Sequence, residues 1–483
     1  MIITSKRLLH YQRCQRRTFL DVYGDHNQKD PLNDFLRKLD YDRLAHHQTI
    51  LADQIYQQPV YYHQDWVAGA EATLALMRQG VEKIYQGILT APGPDGVTLI
   101  GYPDLLVKYP GRSNFGDWFY VPTDIQLGKR PKQDYQILVA FHTHILATLQ
   151  GTWPESAWLI LREKNNYEVD LWTRIPQMQE ILNNCILMLT SQQETDIFIS
   201  REKCSLCRWL STCHALAKSR SHLSLLPGVT PIRYNRLQYL NITTVESLAN
   251  TKPEELEFWS EFDHGLAQKV ILQAKSILKN QALLTPFASE ISPQNLPTAP
   301  IEIYFDIEAQ PDLNFEYLHG ILIVDRETQT DNFYPILAEK IEDEKVNWEK
   351  FLDIVWAYPK APIFHFCNYE SETVKRLAKR YNTPKRRWQP VLDRFVDIHE
   401  RVTRSVALPV EGYSLKHIAR WLGFEWRNTK ANGGQCVFWY DNWLKTGDRS
   451  LLDTIVLYNE DDCRATLHVK NWLVDFLHNS QII

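Results

Sequence analysis

The ten residues "IEIYFDIEAQ" (301–310) constrain this chain more than any other stretch. Their β-branched and aromatic content predicts a buried strand, yet Asp306 and Glu308 lie within it at i and i+2. Side chains alternate across a strand, so both carboxylates share one face. Burying two like charges together is costly unless a cation binds them. Further on, "LYNEDDCRAT" (457–466) sets Tyr458 and Asp462 at i and i+4, adjacent on one face of a predicted helix. Between these stretches "FHFCNYESETVKRL" (364–377) runs from strand to helix and presents Glu370.

At 483 residues the chain is too long for one core, and two or three domains are expected. Charged residues make up 23% and hydrophobic ones 44%, which places it among ordinary globular proteins. The net charge of −5 excludes a polycation coating nucleic acid along its length, but not local basic surface. Lys6, Arg7, Arg13, Arg16 and Arg17 stand among the first twenty residues with no acid between them. That segment lacks the apolar centre of a signal peptide, and no later run is suited to a membrane, so a cytoplasmic protein is expected. The fold class expected is α/β multidomain. Residues 1–222 mix helix and strand patterns, and 225–285 read as short helices. The stretch 286–300, with four prolines, reads as a linker, and 301–483 alternates strands and helices. Within the helical part, "LQYLNITTVESLA" (237–249) resembles a helix–hairpin–helix with Asn241 at the usual glycine position.

The C-terminal acids resemble the motifs of the DEDD exonucleases, which have an RNase-H-like fold. Asp306 and Glu308 match the first motif, Glu370 the second, and Asp462 the last, with Tyr458 at the position of the tyrosine variant. Glu370 departs from the family's usual aspartate, and Asp397 in "FVDIHERV" is a further candidate acid. "YSLKHIARWLGF" (413–424) is similar to the helix before the family's final motif. The resemblance implies hydrolysis of a phosphodiester with two magnesium or manganese ions held by the four acids, and Tyr458 orienting water. The basic run "TVKRLAKRYNTPKRRW" (373–388) is either a solvated helix face or a track for a single strand, with Trp388 placed to stack on a base.

Eight cysteines in a cytoplasmic chain do not suggest disulfides. Cys204, Cys207 and Cys213 follow C-x2-C-x5-C, and Cys14 stands apart near the start. Spacing alone allows zinc or a four-iron cluster. The order of lone cysteine, nuclease-like core and C-x2-C-x5-C resembles the iron–sulfur RecB-like nucleases of the PD-(D/E)xK type. That resemblance implies a 4Fe-4S cluster on Cys14, Cys204, Cys207 and Cys213. It also implies a metal-binding hairpin, matched by "GYPDLLVKYPGRSNFGDWFYVPTDIQ" (101–126), with Asp104 and Asp124 as carboxylates. A histidine from "LAHHQTIL" (44–51), His46 or His47, would join them, and Tyr135 and Gln136 would open the following helix. Gln126 stands where the family requires lysine, and glutamine supplies no positive charge. Lys129 is placed either to reach back or to grip phosphate together with Arg130 and Lys132.

The expectation is therefore a metal-dependent nuclease, a 3′–5′ exonuclease on single-stranded DNA serving repair, recombination or defence. Its hydrolysis would rest on the C-terminal acids, the N-terminal site being weakened. RNA remains open as substrate. The rival is a non-catalytic nucleic-acid-binding or assembly protein with decayed sites.

Overall fold

The computed structural model describes every residue except 63, 164–165, 264, 292–294 and 481–483. The chain forms two compact units, Met1–Ile197 with Arg201–His214, and Phe198–Ser200 with Ala215–Ile483. Among the described residues no helix is long and apolar enough to cross a membrane.

In the N-terminal unit, β1 (Ile2–Thr4), β3 (Leu89–Pro92) and β4 (Thr98–Gly101) make a small sheet in the order β1-β4-β3. A larger one runs β2-β5-β6-β7-β8, with β2 at Lys83–Tyr85, β5 at Leu105–Ser113, β6 at Gly116–Ile125, β7 at Trp158–Ile160 and β8 at Asn166–Glu168. The hairpin β5–β6 pairs Leu105 with Thr123, which brings the start of one strand beside the end of the other. Its register slips between Pro110 and Ser113, where Gly111 takes φ 148°. Helix Gln133–Gln150 packs against β6 with Ile137, Val139, Ala140 and Phe141 fully buried.

In the second unit the helical region includes Pro231–Tyr239, Val245–Asn250 and Leu266–Lys279. Asn241 adopts the left-handed conformation (φ 58°) in the turn after the first of these, as its residue type allows. The proline-bearing stretch 286–300 is packed where it is described: Ala288, Ile291 and Leu296 are buried. Just before it, β9 (Leu283–Leu284) pairs with β15 (Val406–Ala407). Prolines marked the break in regular structure, whereas the apolar Ile291 and Leu296 determine that it packs.

The main sheet of this unit runs β12-β11-β10-β13-β14, with β10 at Ile301–Gln310, β11 at Phe315–Asp325, β12 at Thr330–Leu337, β13 at Ile363–His365 and β14 at Phe395–Asp397. Strands β12, β11 and β10 are antiparallel neighbours, and β13 and β14 continue parallel. Ile303, Phe305 and Ile307 of β10 join a core with Trp348, Phe351 and Leu352 from helix Glu344–Ala357. Tyr304 joins the opposite core, with residues of the 31-residue helix Arg449–Asn479. Even-numbered residues of β10 therefore look toward that long helix, and Asp306 and Glu308 are among them. At the start of β10, Glu302 is fully buried and bound by Lys470 Nζ at 2.6 Å, Arg326 Nε at 2.9 Å and the Tyr304 hydroxyl at 2.7 Å.

Candidate active site

Period-two alternation along β10 and one helical turn of Arg449–Asn479 bring Asp306, Glu308 and Asp462 to one point. Each offers an oxygen within 4.8 Å of the others. A magnesium ion binds oxygens at about 2.1 Å, so opposite ligands of one ion lie about 4.2 Å apart, and the three carboxylates need only a small adjustment to meet such an ion. The donor set is all oxygen, as a hard cation prefers. Among the described residues no other three His, Cys, Asp or Glu side chains gather as closely.

The electrostatics are those of crowded acids. Burial pushes the Asp306 carboxyl up, and the charges of Asp462, Glu308 and Glu370 push it further. Glu308 rises through burial and Asp462, with Lys416 opposing. Asp462 is pushed up to about 6 by burial, offset by the Trp426 indole, the Tyr458 hydroxyl and the Lys416 ammonium. A divalent ion would reverse this pressure by favouring the ionised forms. Tyr458, 7% exposed, is driven far above the ordinary phenol range by burial and by Asp462, so it stays neutral and can donate or accept but not act as phenolate.

Glu370 reaches the same neighbourhood from another element. It lies in the first turn of helix Tyr369–Arg380, just after β13, and is 3% exposed. It is not one of the three tightly grouped acids, although its charge acts on both Asp306 and Glu308. Its Oε2 lies 3.5 Å from His365 Nδ1, whose hydrogen-bond partner is the Cys367 carbonyl at 2.6 Å. Cys367 holds φ 70°, and such a conformation costs a non-glycine residue about 1–3 kcal/mol. Asp397 secures that turn by accepting from Cys367 N at 3.0 Å, and it also caps helix Ile398–Ser405.

Four further residues shape the site and escaped sequence reasoning. Asn459 donates from Nδ2 to Asp306 Oδ2 at 2.6 Å. Gly320, paired with Asp306 in register, makes room for it, since a Cβ there would lie 1.7 Å from Asn459 Oδ1. Trp426 Nε1 donates to Asp462 Oδ1 at 2.7 Å. Lys416 Nζ sits 4.7 Å from the centre of the Tyr458 ring and donates to the Ala431 carbonyl. A glycine inside an apolar strand marks a close approach, so Gly320 in "FEYLHGILIVD" was the one readable signal.

The basic run 373–388 is largely occupied with structural pairing. Arg376 binds the buried Glu316, Arg380 binds Glu344, and Arg387 reaches Glu349 and Asp353. Trp388 is half-buried against the core around Trp348 rather than presented to solvent.

In the N-terminal unit, Asp104 and Asp124 meet as the hairpin predicts. Ile125 N donates to Asp104 Oδ2 at 2.7 Å, and Asp104 N lies 3.4 Å from Asp124 Oδ1. Asp124 Oδ1 also faces His142 Nδ1 at 3.1 Å, and that ring continues to Ser5 Oγ at 2.7 Å. Of the two candidate histidines it is His47 whose Nε2 lies 3.8 Å from Asp104 Oδ1. His46 precedes it on the same helix, where neighbours point about 100° apart. Burial holds His47 down to about 4, so it is neutral and its nitrogen can act as a ligand. His47 Nε2 and Asp124 Oδ2 are buried without hydrogen-bond partners, as atoms awaiting a cation would be. Gln126 is half-buried just beyond β6. Lys129 does not reach back: it pairs with Glu163 at 3.0 Å on the surface. The positive charge acting on Asp104 is instead that of Arg43, one turn before His47.

Cys14 lies between helices Ser5–Arg13 and Gln15–Tyr23, and its sulfur accepts from Arg17 N at 3.4 Å. Cys207 N donates to the Cys204 carbonyl at 2.9 Å in a tight turn. Burial raises the Cys207 and Cys213 thiols, and both also feel Cys14. No three cysteine sulfurs among the described residues lie within 4.8 Å of one another. Tetrahedral zinc with bonds of about 2.3 Å needs sulfurs about 3.8 Å apart, so a zinc site is not preformed.

The RNase_H superfamily model matches residues 303–474. This span runs from β10 into the long helix and contains Asp306, Glu308, Glu370, Tyr458 and Asp462. The chain thus carries an RNase-H-like domain, a fold of nuclease type, at its C-terminus. No curated protein matches the sequence.

Proposed function

We propose that this protein is a metal-dependent nuclease that removes nucleotides from the 3′ end of single-stranded DNA. Its reacting centre is Asp306, Glu308, Glu370 and Asp462, with Tyr458 beside them. The observation that carries the reading is the meeting of Asp306, Glu308 and Asp462 on the inner face of an RNase-H-like sheet. Two magnesium or manganese ions, bound there, would activate water and offset the charge gathering on the phosphate. The chain's own contribution is placement. Asn459 and Trp426 each fix one carboxylate. Tyr458 offers a neutral hydroxyl to orient water, and Lys416 brings a positive charge to the rim.

The polarity is tested with single strands labelled at either end, in manganese. A 3′ label should leave at once as mononucleotide, while a 5′ label gives a ladder that shortens with time. Cleavage of circular single strands, or immediate loss of the 5′ label, defeats the exonuclease assignment. A matched RNA strand run in parallel decides the sugar preference.

In this reading the N-terminal carboxylates form a weakened or binding site, because neither Gln126 nor Lys129 supplies a cation there. We further read Cys14, Cys204, Cys207 and Cys213 as ligands of a 4Fe-4S cluster, whose thiolates stand wider apart than those around zinc. Support comes from the docking of the C-x2-C segment on the chain's start: Arg208 Nε donates to the Asp30 carbonyl at 2.7 Å and Trp209 Nε1 to Asp21 at 2.9 Å. Protein purified without oxygen should hold about four irons and four labile sulfides per chain, and Cys213→Ser should lose them. Stoichiometric zinc with no sulfide would refute the cluster.

A further inference from the structure

A cavity of about 270 Å³ in the N-terminal unit is lined by Lys6, Arg7, His10, Arg17, Lys29 and Arg208, and the one carboxylate in its wall is Asp21. Asp21 is already committed. Its Oδ1 takes the Lys29 ammonium at 2.8 Å and the Trp209 indole at 2.9 Å, and its Oδ2 faces His10 Nδ1 at 3.0 Å. Arg17 stands farther off, at 3.9 Å. Arg7 donates to the Ile2 carbonyl and Arg208 to that of Asp30, contacts that aim a guanidinium without neutralising it. Five cations thus share a half-buried hollow with one carboxylate. The run 373–388 offers the contrast, because there Arg376, Arg380 and Arg387 each have an acid.

We propose that this hollow binds phosphate groups of a nucleic-acid backbone without regard to sequence. Five cations held together with a single carboxylate among them favour a polyanion, and guanidinium groups match phosphate oxygens two at a time. Bases are not read here. Trp209, the aromatic wall, is 1% exposed, its N–H is spent on Asp21, and Lys29 covers its ring at 5.0 Å. The contacts are therefore of the positioning kind. The proposal shares only its ligand class with the function proposed above. Binding is measured in EDTA, without turnover, so either can fail alone.

The test compares the full-length protein with the Lys6→Gln/Arg17→Gln variant, binding labelled oligothymidine by anisotropy over a range of salt. Two lost phosphate contacts should flatten the slope of log affinity against log salt by about 1.4, at about 0.7 per contact. Sodium tripolyphosphate should compete with the strand on the wild type and lose that effect on the variant. An unchanged slope overturns the proposal. Tripolyphosphate raising the wild-type melting temperature while the slope stays unchanged also overturns it, in favour of a site for small phosphates. If the double variant does not fold, Lys6→Gln alone, at an exposed side chain, should give half the flattening, and its absence is equally fatal.

Discussion

Replacing Asp306 and Asp462 together with asparagine should lower hydrolysis by at least about a thousandfold, because the charge stabilisation removed is worth several kcal/mol. The same substitution should stabilise the protein when metal is withheld. Asp462 rises from an ordinary 3.8 to about 6 through burial, and Asp306 is also raised well above that ordinary value by burial and its acidic neighbours. A carboxyl raised on folding stabilises the native state below its unfolded value, and that contribution is lost as pH climbs through the folded one. Metal-free wild type should therefore lose melting temperature progressively from below pH 4 through pH 6 and above, whereas the asparagine variant should lose much less. Manganese at pH 8 should restore the wild type and leave the variant unmoved. A variant as active as wild type sinks the C-terminal assignment and leaves Asp104 and Asp124 as the candidates, to be judged by Asp124→Ala.

Gly320→Ala is expected to have the second-largest effect, although it adds a single methyl group. The new carbon would meet Asn459 Oδ1 at 1.7 Å and Cγ at 2.8 Å, with Phe333 at 3.1 Å behind. Asn459 must swing away and give up its 2.6 Å bond to Asp306. Overpacking of this kind costs about 1–3 kcal/mol, read as a lowered urea midpoint, and activity should fall with it. Adding Asn459→Ala removes the clash, so the double variant should regain much of the stability while remaining slow. That pattern separates steric strain from loss of the asparagine's hold on the acid. Wild-type stability and rate in Gly320→Ala would show that Asn459 does not position Asp306.

The sequence carried the strand and the acids because their signals are local. Asp306 and Glu308 at i and i+2, and Tyr458 and Asp462 at i and i+4, are fixed by backbone period alone. The hairpin that joins Asp104 to Asp124 was legible from its turn. Roles that depend on register between distant elements were not legible, even where, as at Gly320, the residue type hinted at a close approach. Gly320 matters because it lies opposite Asp306 and beneath Asn459, and Lys416 because its helix packs near Tyr458. The sequence leaves the histidine open between His46 and His47 because helix phase is set by tertiary packing, and the structure brings His47 Nε2 to 3.8 Å from Asp104 Oδ1. The sequence leaves Lys129 open between reaching inward and gripping phosphate with Arg130 and Lys132, since nothing local announces its partner Glu163. The basic run stays open between two readings in the sequence for a related reason: Glu316, Glu344 and Glu349, which pair with Arg376, Arg380 and Arg387, lie far back in the chain.

Helix Arg449–Asn479 fastens β10 twice, through Asn459 to Asp306 and through Lys470 to Glu302. The two rivets stand eleven residues apart on one rod, about 16 Å along its axis. A strand bolted at both places to a stiff beam cannot slide past it in register without drawing both bolts. The alignment of the acids is thereby borne by the whole length of the rod, and loosening the remote Glu302 fastening should blunt the cutting edge at the other end without touching it.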